Sequence, residues 1–215
     1  MDEAFPALGA ALSEAQHLLL GRYIEELLAY NSKVNLTAQS DPRHILLRHV
    51  ADGLAAVPVL RSRLPGAPRI LDLGAGAGFI GIAIKIAWPE AQVTLMEPAQ
   101  RRYAFLNLAA ARLGLGGLRL LRKSAGRDPL GPREAGFDAV VERALAPLPE
   151  ALRIGLPLLS PEGLFAAYQS APPDPREPAL KRALERFSAR LLESVPYRLP
   201  LEKRERCLAL FGKWT

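Results

Sequence analysis

The segment Ile70-Leu71-Asp72-Leu73-Gly74-Ala75-Gly76-Ala77-Gly78-Phe79-Ile80-Gly81 constrains this chain more than any other. Arg69–Leu73 is a short apolar run of strand length, and Gly78–Trp88, stopped by Pro89, is an apolar run of helix length. The glycines between them allow a sharp turn and let a ligand come close to the main chain. A strand feeding a helix through such a loop is the first half of a βαβ unit, which commits the chain to a parallel sheet.

The rest of the chain extends that alternation. Strands are predicted at Gln92–Met96, Leu118–Arg122, Asp138–Glu142 and Leu164–Tyr168, with helices at Pro98 to about Leu113 and at Leu148–Leu159. A helix at Ala179–Ser194 follows, then a closing hairpin of Tyr197–Leu199 and Cys207–Phe211 with an antiparallel edge. Ser170–Pro178, with its four prolines, reads as an extended loop. Ahead of the sheet, Ser13 and Gln16 make a capping box before a helical stripe of Leu20, Tyr23, Ile24, Leu27 and Leu28. Asp41 with Pro42 starts a second helix, which Pro58 is expected to end. The expected architecture is a doubly wound α/β domain over residues 65–215 with a helical N-terminal extension over residues 1–64.

Composition narrows the function. With one cysteine (Cys207) and three scattered histidines, the sequence offers no disulfide framework and no metal-ligand spacing, so no metal is expected. No run approaches the length of a membrane span, and the acidic start lacks the basic region of a signal peptide, so a cytoplasmic protein is expected. Charge is unevenly placed. Residues 1–42 carry two Lys/Arg against six Asp/Glu, whereas residues 101–127 carry seven Lys/Arg and no acid, more than the +6 of the whole chain. Such a block suits a polyanion, although a solvated arginine face has the same composition.

Two cofactor classes fit the glycine loop. Gly76–Gly81 satisfies G-x-G-x-x-G, the dinucleotide pattern, while Asp72, Gly74, Gly76 and Gly78 fit the acid-then-G-x-G-x-G form that binds S-adenosylmethionine. Asp72 favours the second, because a carboxylate beside the loop repels a pyrophosphate and attracts an ammonium. Glu97, at the end of the second strand, is placed to accept ribose hydroxyls in either class.

Several further pieces, in order, carry a family resemblance: Asn35-Leu36-Thr37, Arg48-His49-Val50-Ala51-Asp52, the glycine loop, Trp88-Pro89-Glu90-Ala91, Arg101-Arg102-Tyr103-Ala104-Phe105-Leu106 after Glu97, and Arg143-Ala144-Leu145-Ala146-Pro147-Leu148. From Asn35 to about Phe165 the chain resembles the bacterial small-subunit ribosomal RNA guanine-N7 methyltransferases, the glucose-inhibited division protein B family. The resemblance implies a class I S-adenosylmethionine-dependent methyltransferase fold with a seven-strand sheet. It also implies cofactor contacts from Asp72, Gly74, Ala75, Gly76, Gly78, Phe79, Glu97, Ala125, Gly126 and Arg143, with Arg143 beside the transferred methyl. Asn35, Arg48, His49, Arg101 and Arg102 are the expected substrate contacts. The expected partner is ribosomal RNA or the small ribosomal subunit, bound by a monomer. The chain departs from the family pattern at Ile80, Gly126, Gln169 and Ser170. The rival functions are a non-catalytic RNA-binding protein, a small-molecule methyltransferase and a dinucleotide-dependent oxidoreductase.

Overall fold

The computed structural model describes residues 9, 11–131 and 134–213. Most of the acidic start, residues 1–8 and 10, lies outside the described residues. Seven strands form one sheet: β1 (Arg69–Leu73), β2 (Gln92–Met96), β3 (Leu118–Leu121), β4 (Phe137–Glu142), β5 (Leu159–Gln169), β6 (Ala189–Arg198) and β7 (Glu205–Lys213), in the order β3-β2-β1-β4-β5-β7-β6. The first five are mutually parallel, and β7 runs antiparallel to both β5 and β6. The chain leaves β1 in one direction for β2 and β3 and returns to its other side as β4. The carboxyl ends of β1 and β4 therefore flank a topological switch point, where open α/β sheets hold their ligands. This is the class I methyltransferase fold.

Helices cover both faces. The capping box of Ser13 and Gln16 starts α1 (Glu14–Val34), and Asn35, in the left-handed region, ends it. Asp41 accepts from the backbone of Arg43 and His44 to start α2 (Pro42–His44), which runs through a π-helical turn (Ile45–Val50) into α3 (Ala51–Arg61). With α4 (Gly81–Ala87) and α5 (Gln100–Leu113), these pack Tyr23, Leu27, Leu54, Ile82 and Phe105 onto one face. On the other face, α6 (Leu148–Gly155) and α7 (Pro178–Arg186) bury Leu152 and Leu184 against Phe137, Phe165 and Phe211. Each fully buried leucine or phenylalanine contributes about 1.5–3 kcal/mol. The N-terminal helices share one continuous apolar cluster with the sheet. Tyr23, fully buried, donates its hydroxyl to the Ala77 carbonyl at 2.8 Å and so ties α1 to the glycine loop.

The strands β1 and β2 lie at their predicted bounds, while four expectations need correction. The predicted helix over 179–194 stops at Arg186; Ser188 is left-handed (φ 47°), and β6 begins at Ala189. Helical periodicity in this stretch yields to the long ladder that β6 makes with β7. Pro58 does not end its helix, which continues to Arg61 because Leu54, Val57 and Leu60 stay buried along it. The helix after the loop starts at Gly81 rather than Gly78, since residues 74–80 are held as an irregular turn. Finally, β5 starts at Leu159, where it pairs with Phe137 before a register shift.

Candidate active site

Two adjoining cavities open at the carboxyl end of the sheet. The smaller, about 380 Å³, is lined by Asp72, Gly74, Ala75, Gly76, Ala77, Phe79 and Ile80 of the loop, by Leu36–Ala38, and by Arg102, Arg143 and Ala144. The larger, about 690 Å³, is lined by Arg48, His49, Asp52, Arg143, Ala144, Tyr168, Gln169, Ser170 and Arg206 among others. Arg143 and Ala144 belong to both. They follow β4 directly, and Ala144 adopts a left-handed backbone (φ 57°) at the turn.

The loop is held from below. Asp72, 2% exposed, accepts the Gly81 N–H at 2.7 Å, and a Cβ on Gly81 would stand 2.8 Å from that same oxygen. Only glycine allows helix α4 to begin so close to β1. Glu97 spans the gap to β2, accepting the Gly76 N–H with one oxygen and the Ala99 N–H with the other, each at 2.8 Å. The loop amides of Gly74 and Ala75 donate to the Met96 carbonyl. At Gly53 on α3, a Cβ would lie 2.5 Å from the Phe79 carbonyl, so this helix rests directly on the loop backbone.

The electrostatics divide the site. Burial pushes the Asp72 carboxyl up to about 7, against the pull of the Gly81 amide and Arg143. Glu142, 1% exposed, is likewise pushed up by burial to about 7; it accepts the Leu145 amide, and its Oε1 has no hydrogen-bond partner among the described residues. Burial and then the Arg143 charge drive His49 down to about 4, leaving a neutral imidazole. The His49 ring stacks on Phe79 with centroids 4.7 Å apart, and its buried Nε2 has no hydrogen-bond partner among the described residues. Because Phe79 lines the smaller cavity and His49 the larger, this ring pair stands between them. The Arg143 guanidinium lies 5.7 Å from the Phe79 ring centre.

The structure brings together most of the expected residues. Asp72, Gly74, Ala75, Gly76, Phe79, Arg102 and Arg143 line the smaller cavity, and Arg48, His49 and Arg143 the larger. Gly78, Glu97, Ala125, Gly126, Asn35 and Arg101 line neither. Gly78 (φ 89°) packs on Ile82 and Leu106, and Gly126 (φ 76°) lies over Ile154. Asn35 caps α1, so that its successors Leu36, Thr37 and Ala38 reach the cavity in its place. Arg101 is exposed beside Arg102 at the start of α5.

A sequence model of the family described as rRNA small subunit methyltransferase G matches residues 16–196. The chain belongs to this family. A ribosomal RNA small subunit methyltransferase G from Myxococcus xanthus is 38% identical over 207 residues, covering 96% of this chain and 93% of that protein. One from Burkholderia thailandensis is 39% identical over 178 residues, 81% of this chain and 75% of that protein. Among solved structures, 1,6-didemethyltoxoflavin-N1-methyltransferase of Burkholderia thailandensis, with S-adenosylhomocysteine bound, superposes with a TM-score of 0.59 at 19% identity, over 91% of this chain and 90% of that one. A ribosomal protein L11 methylase from Lactobacillus delbrueckii subsp. bulgaricus gives 0.57 at 18% identity, over 78% of this chain and 79% of that one. At such identities the likeness is one of fold, and the fold is that of a methyltransferase.

Membership of the family does not by itself account for the floor of the larger cavity. The spacing of Asp52 from His49 and Arg48 on one helix allows local pairing. Asp52 instead binds Arg143, Arg206 and Tyr197, and Arg48 binds Glu202 at 2.9 Å. Tyr197, Glu202 and Arg206 come from the C-terminal hairpin, nearly 150 residues away in sequence from Asp52. The one available signal is Asp52 itself, a charge within the otherwise apolar run Val50–Leu60.

Proposed function

We propose that this methyltransferase moves the methyl group of S-adenosylmethionine to N7 of a guanine in small-subunit ribosomal RNA. The observation that carries the proposal is the junction at Arg143, where a glycine-lined cavity floored by an acid meets an arginine-lined cavity large enough for a base. The substrate class follows the printed names of the relatives, and the position follows the family resemblance of the motifs.

The residues present fit the cofactor. Asp72, at the floor of the smaller cavity, suits an ammonium and would repel a phosphate. Arg143 and Arg102, on the wall, suit a carboxylate. Gly74, Ala75, Gly76 and Phe79 present the loop to the cofactor body, and Gly78 supports that loop from beneath. Glu97 holds the loop with one lone pair on each oxygen, which leaves further acceptor capacity for ribose hydroxyls. Ala125 and Gly126, after β3, complete the proposed cofactor set.

Bound there, S-adenosylmethionine supplies an electrophilic methyl. Guanine N7 carries an unprotonated lone pair, so this chain has no proton to remove; it aligns the base and excludes water. A neutral His49 fits that task, since it offers hydrogen bonding without a charge that would repel the sulfonium. Arg143 is placed to hold guanine O6 or a flanking phosphate. Arg48, Arg101 and Arg102 would hold the RNA backbone, with Asn35 fixing the turn that leads to the cavity.

The protein is taken to act as a cytoplasmic monomer, with residues 1–64 as a helical extension of the catalytic domain. The test is transfer of labelled methyl from S-adenosylmethionine to deproteinised ribosomal RNA and to small subunits, mapped by chain cleavage at 7-methylguanine. Label at another atom rejects the proposed position. Tight NADH binding in calorimetry without S-adenosylmethionine binding rejects the cofactor.

A further inference from the structure

Asp52 is fully buried on α3, yet three side chains converge on it. Its Oδ2 accepts from Arg143 Nη1 at 2.8 Å and from Arg206 Nη1 at 3.2 Å, and its Oδ1 accepts from the Tyr197 hydroxyl. Burial, then the charge and the hydrogen bond of Asp52, push the Tyr197 phenol well above its ordinary range, so it remains a donor. Arg206 in turn gives Nε and Nη2 to Glu202, both at 2.7 Å, and Glu202 also accepts from Arg48. Three segments distant in sequence thus meet at one carboxylate: α3, the turn after β4, and the β6–β7 hairpin.

The two arginines on Asp52 differ in what they have left to give. Arg206 has all three guanidinium nitrogens on carboxylates. Arg143 is held by Nη1 alone; its Nε and Nη2 have no partner among the described residues, and the side chain lines both cavities. Structural Arg–carboxylate pairs are frequently bidentate, as Arg206 with Glu202 is here. At Arg143 one hydrogen bond and the Phe79 ring hold the guanidinium and leave two donor nitrogens for ligands. A buried carboxylate is costly unless it is hydrogen-bonded, and the hairpin supplies two of the three hydrogen bonds Asp52 accepts.

We propose that Asp52 is the positioning residue for Arg143, and that Tyr197, Arg206 and Glu202 of the C-terminal hairpin fix Asp52 in place, making the hairpin part of the active site. This rests on Arg143 meeting the substrate or cofactor as described under Proposed function. Positioning errors near 1 Å can cost a hundredfold in rate, so the brace is visible in turnover before it is visible in binding.

The experiment is a double-mutant cycle on the full-length protein with ribosomal RNA and labelled S-adenosylmethionine. Tyr197→Phe removes one hydrogen bond and no charge. It is expected to lower kcat about fivefold, with the RNA KM within about twofold and the melting midpoint lowered by several degrees, the protein staying folded at the assay temperature. Asp52→Asn is expected to lower kcat about a hundredfold; because it leaves two arginines facing an uncharged group, its folding is checked separately, and Tyr197→Phe carries the test if it fails. In an Arg143→Ala background, Tyr197→Phe is expected to have no further effect, since it acts through the missing arginine. An unchanged kcat for Tyr197→Phe, or an equal loss in both backgrounds, overturns the proposal. If the wild type methylates a different atom, the position proposed above falls while the cycle still reads positioning. If the wild type transfers no methyl, the same cycle read on S-adenosylmethionine Kd decides it, non-additivity supporting the brace and additivity overturning it.

Discussion

The two cavities that meet at Arg143 are built by opposite routes. The smaller takes most of its wall from ten consecutive residues, Asp72–Gly81, folded back on themselves between β1 and α4. The larger is assembled from the π-helical turn with the start of α3, the turn after β4, the end of β5 and the closing hairpin, four regions separate in sequence. A wall made of backbone and glycine takes its shape from local turns and from the few groups packed against it, Tyr23, Gly53, Met96 and Glu97. A wall made of arginines needs acids brought from other segments to aim it, as Asp52 and Glu202 show. The first region should therefore respond to added bulk and the second to missing charge.

Arg143 belongs to both regions, and its removal should be the largest single effect. Arg143→Ala is expected to cut kcat/KM by a hundredfold or more, about 3 kcal/mol of transition-state stabilisation. The fold should persist, because Asp52 keeps Arg206 and Tyr197. Single-turnover kinetics beside a denaturant melt check this. A variant that unfolds would make Arg143 part of the structural brace and erase the contrast between the regions.

The same contrast explains which parts of the molecule are legible in the sequence. The glycine loop, β1 and β2 are legible because local chemistry decides them: an apolar strand, an acid, glycines where the backbone is left-handed. Arg143 is legible as part of a contiguous motif. Tyr197, Glu202 and Arg206 are not, for they gain meaning only when β6 pairs with β7 and brings them under α3. The overlong helix prediction at 179–194 has the same cause. Leu180, Ala183, Leu184, Leu191 and Val195 satisfy helical spacing, but the pairing of Leu191 with Phe211 and of Val195 with Leu208 is non-local and prevails. Asn35 shows the converse: its motif is visible, but its side chain is exposed at a helix end while Thr37 faces the cavity.

Gly53→Ala adds bulk at the place where the two regions touch. The new Cβ would sit 2.5 Å from the Phe79 carbonyl and 3.0 Å from the Ile80 Cα, both backbone, so the loop or α3 must shift. A decrease of about 2 kcal/mol in stability is expected from such overpacking. Cofactor affinity should weaken with it, read by calorimetry below the melting temperature. Unchanged affinity would show that the loop keeps its shape without α3.

Asp72 allows a finer test through pH. Its carboxyl stands near 7 in the folded protein, mainly through burial, so below that pH the group is protonated. A cationic ligand prefers the ionised form, and its binding must then expel a proton. Affinity for S-adenosylmethionine should therefore rise with pH, up to tenfold per unit, and level off above about 7. Asp72→Asn should flatten most of this rise and lower affinity about tenfold at pH 8, with Glu142, also near 7, supplying any remainder. Folding stability follows the opposite sign. The unfolded carboxyl ionises near 4 and the folded one near 7, so the wild type loses stability as pH climbs through that window, and the variant should lose less, keeping the part due to Glu142. Calorimetry in buffers of different ionisation enthalpy counts the proton directly.

The smallest effects separate arginines that are tied from arginines that are open. Within the acid-free stretch of residues 101–127, Arg112 is paired with Glu26, and Arg119 and Lys123 with Glu134. Arg101, Arg102, Arg122 and Arg127 have no ion-pair partner among the described residues, and all four are exposed. They sit at the carboxyl ends of β2 and β3, the same end of the sheet as the loop. The apparent +7 of this stretch is thus partly neutralised across the fold, and four open charges remain to meet RNA phosphates. Arg101→Gln with Arg102→Gln should weaken RNA binding several-fold and reduce the slope of log K against log salt by about 1.4–1.8, since each phosphate left unneutralised lowers it by about 0.7–0.9. Arg112→Gln with Arg119→Gln should leave that slope within about 0.5 of wild type, because guanidiniums already facing carboxylates release few counterions from RNA. Equal reductions in both pairs would mean that RNA reads the stretch as a diffuse basic field and that the folded pairing does not choose which arginines it meets.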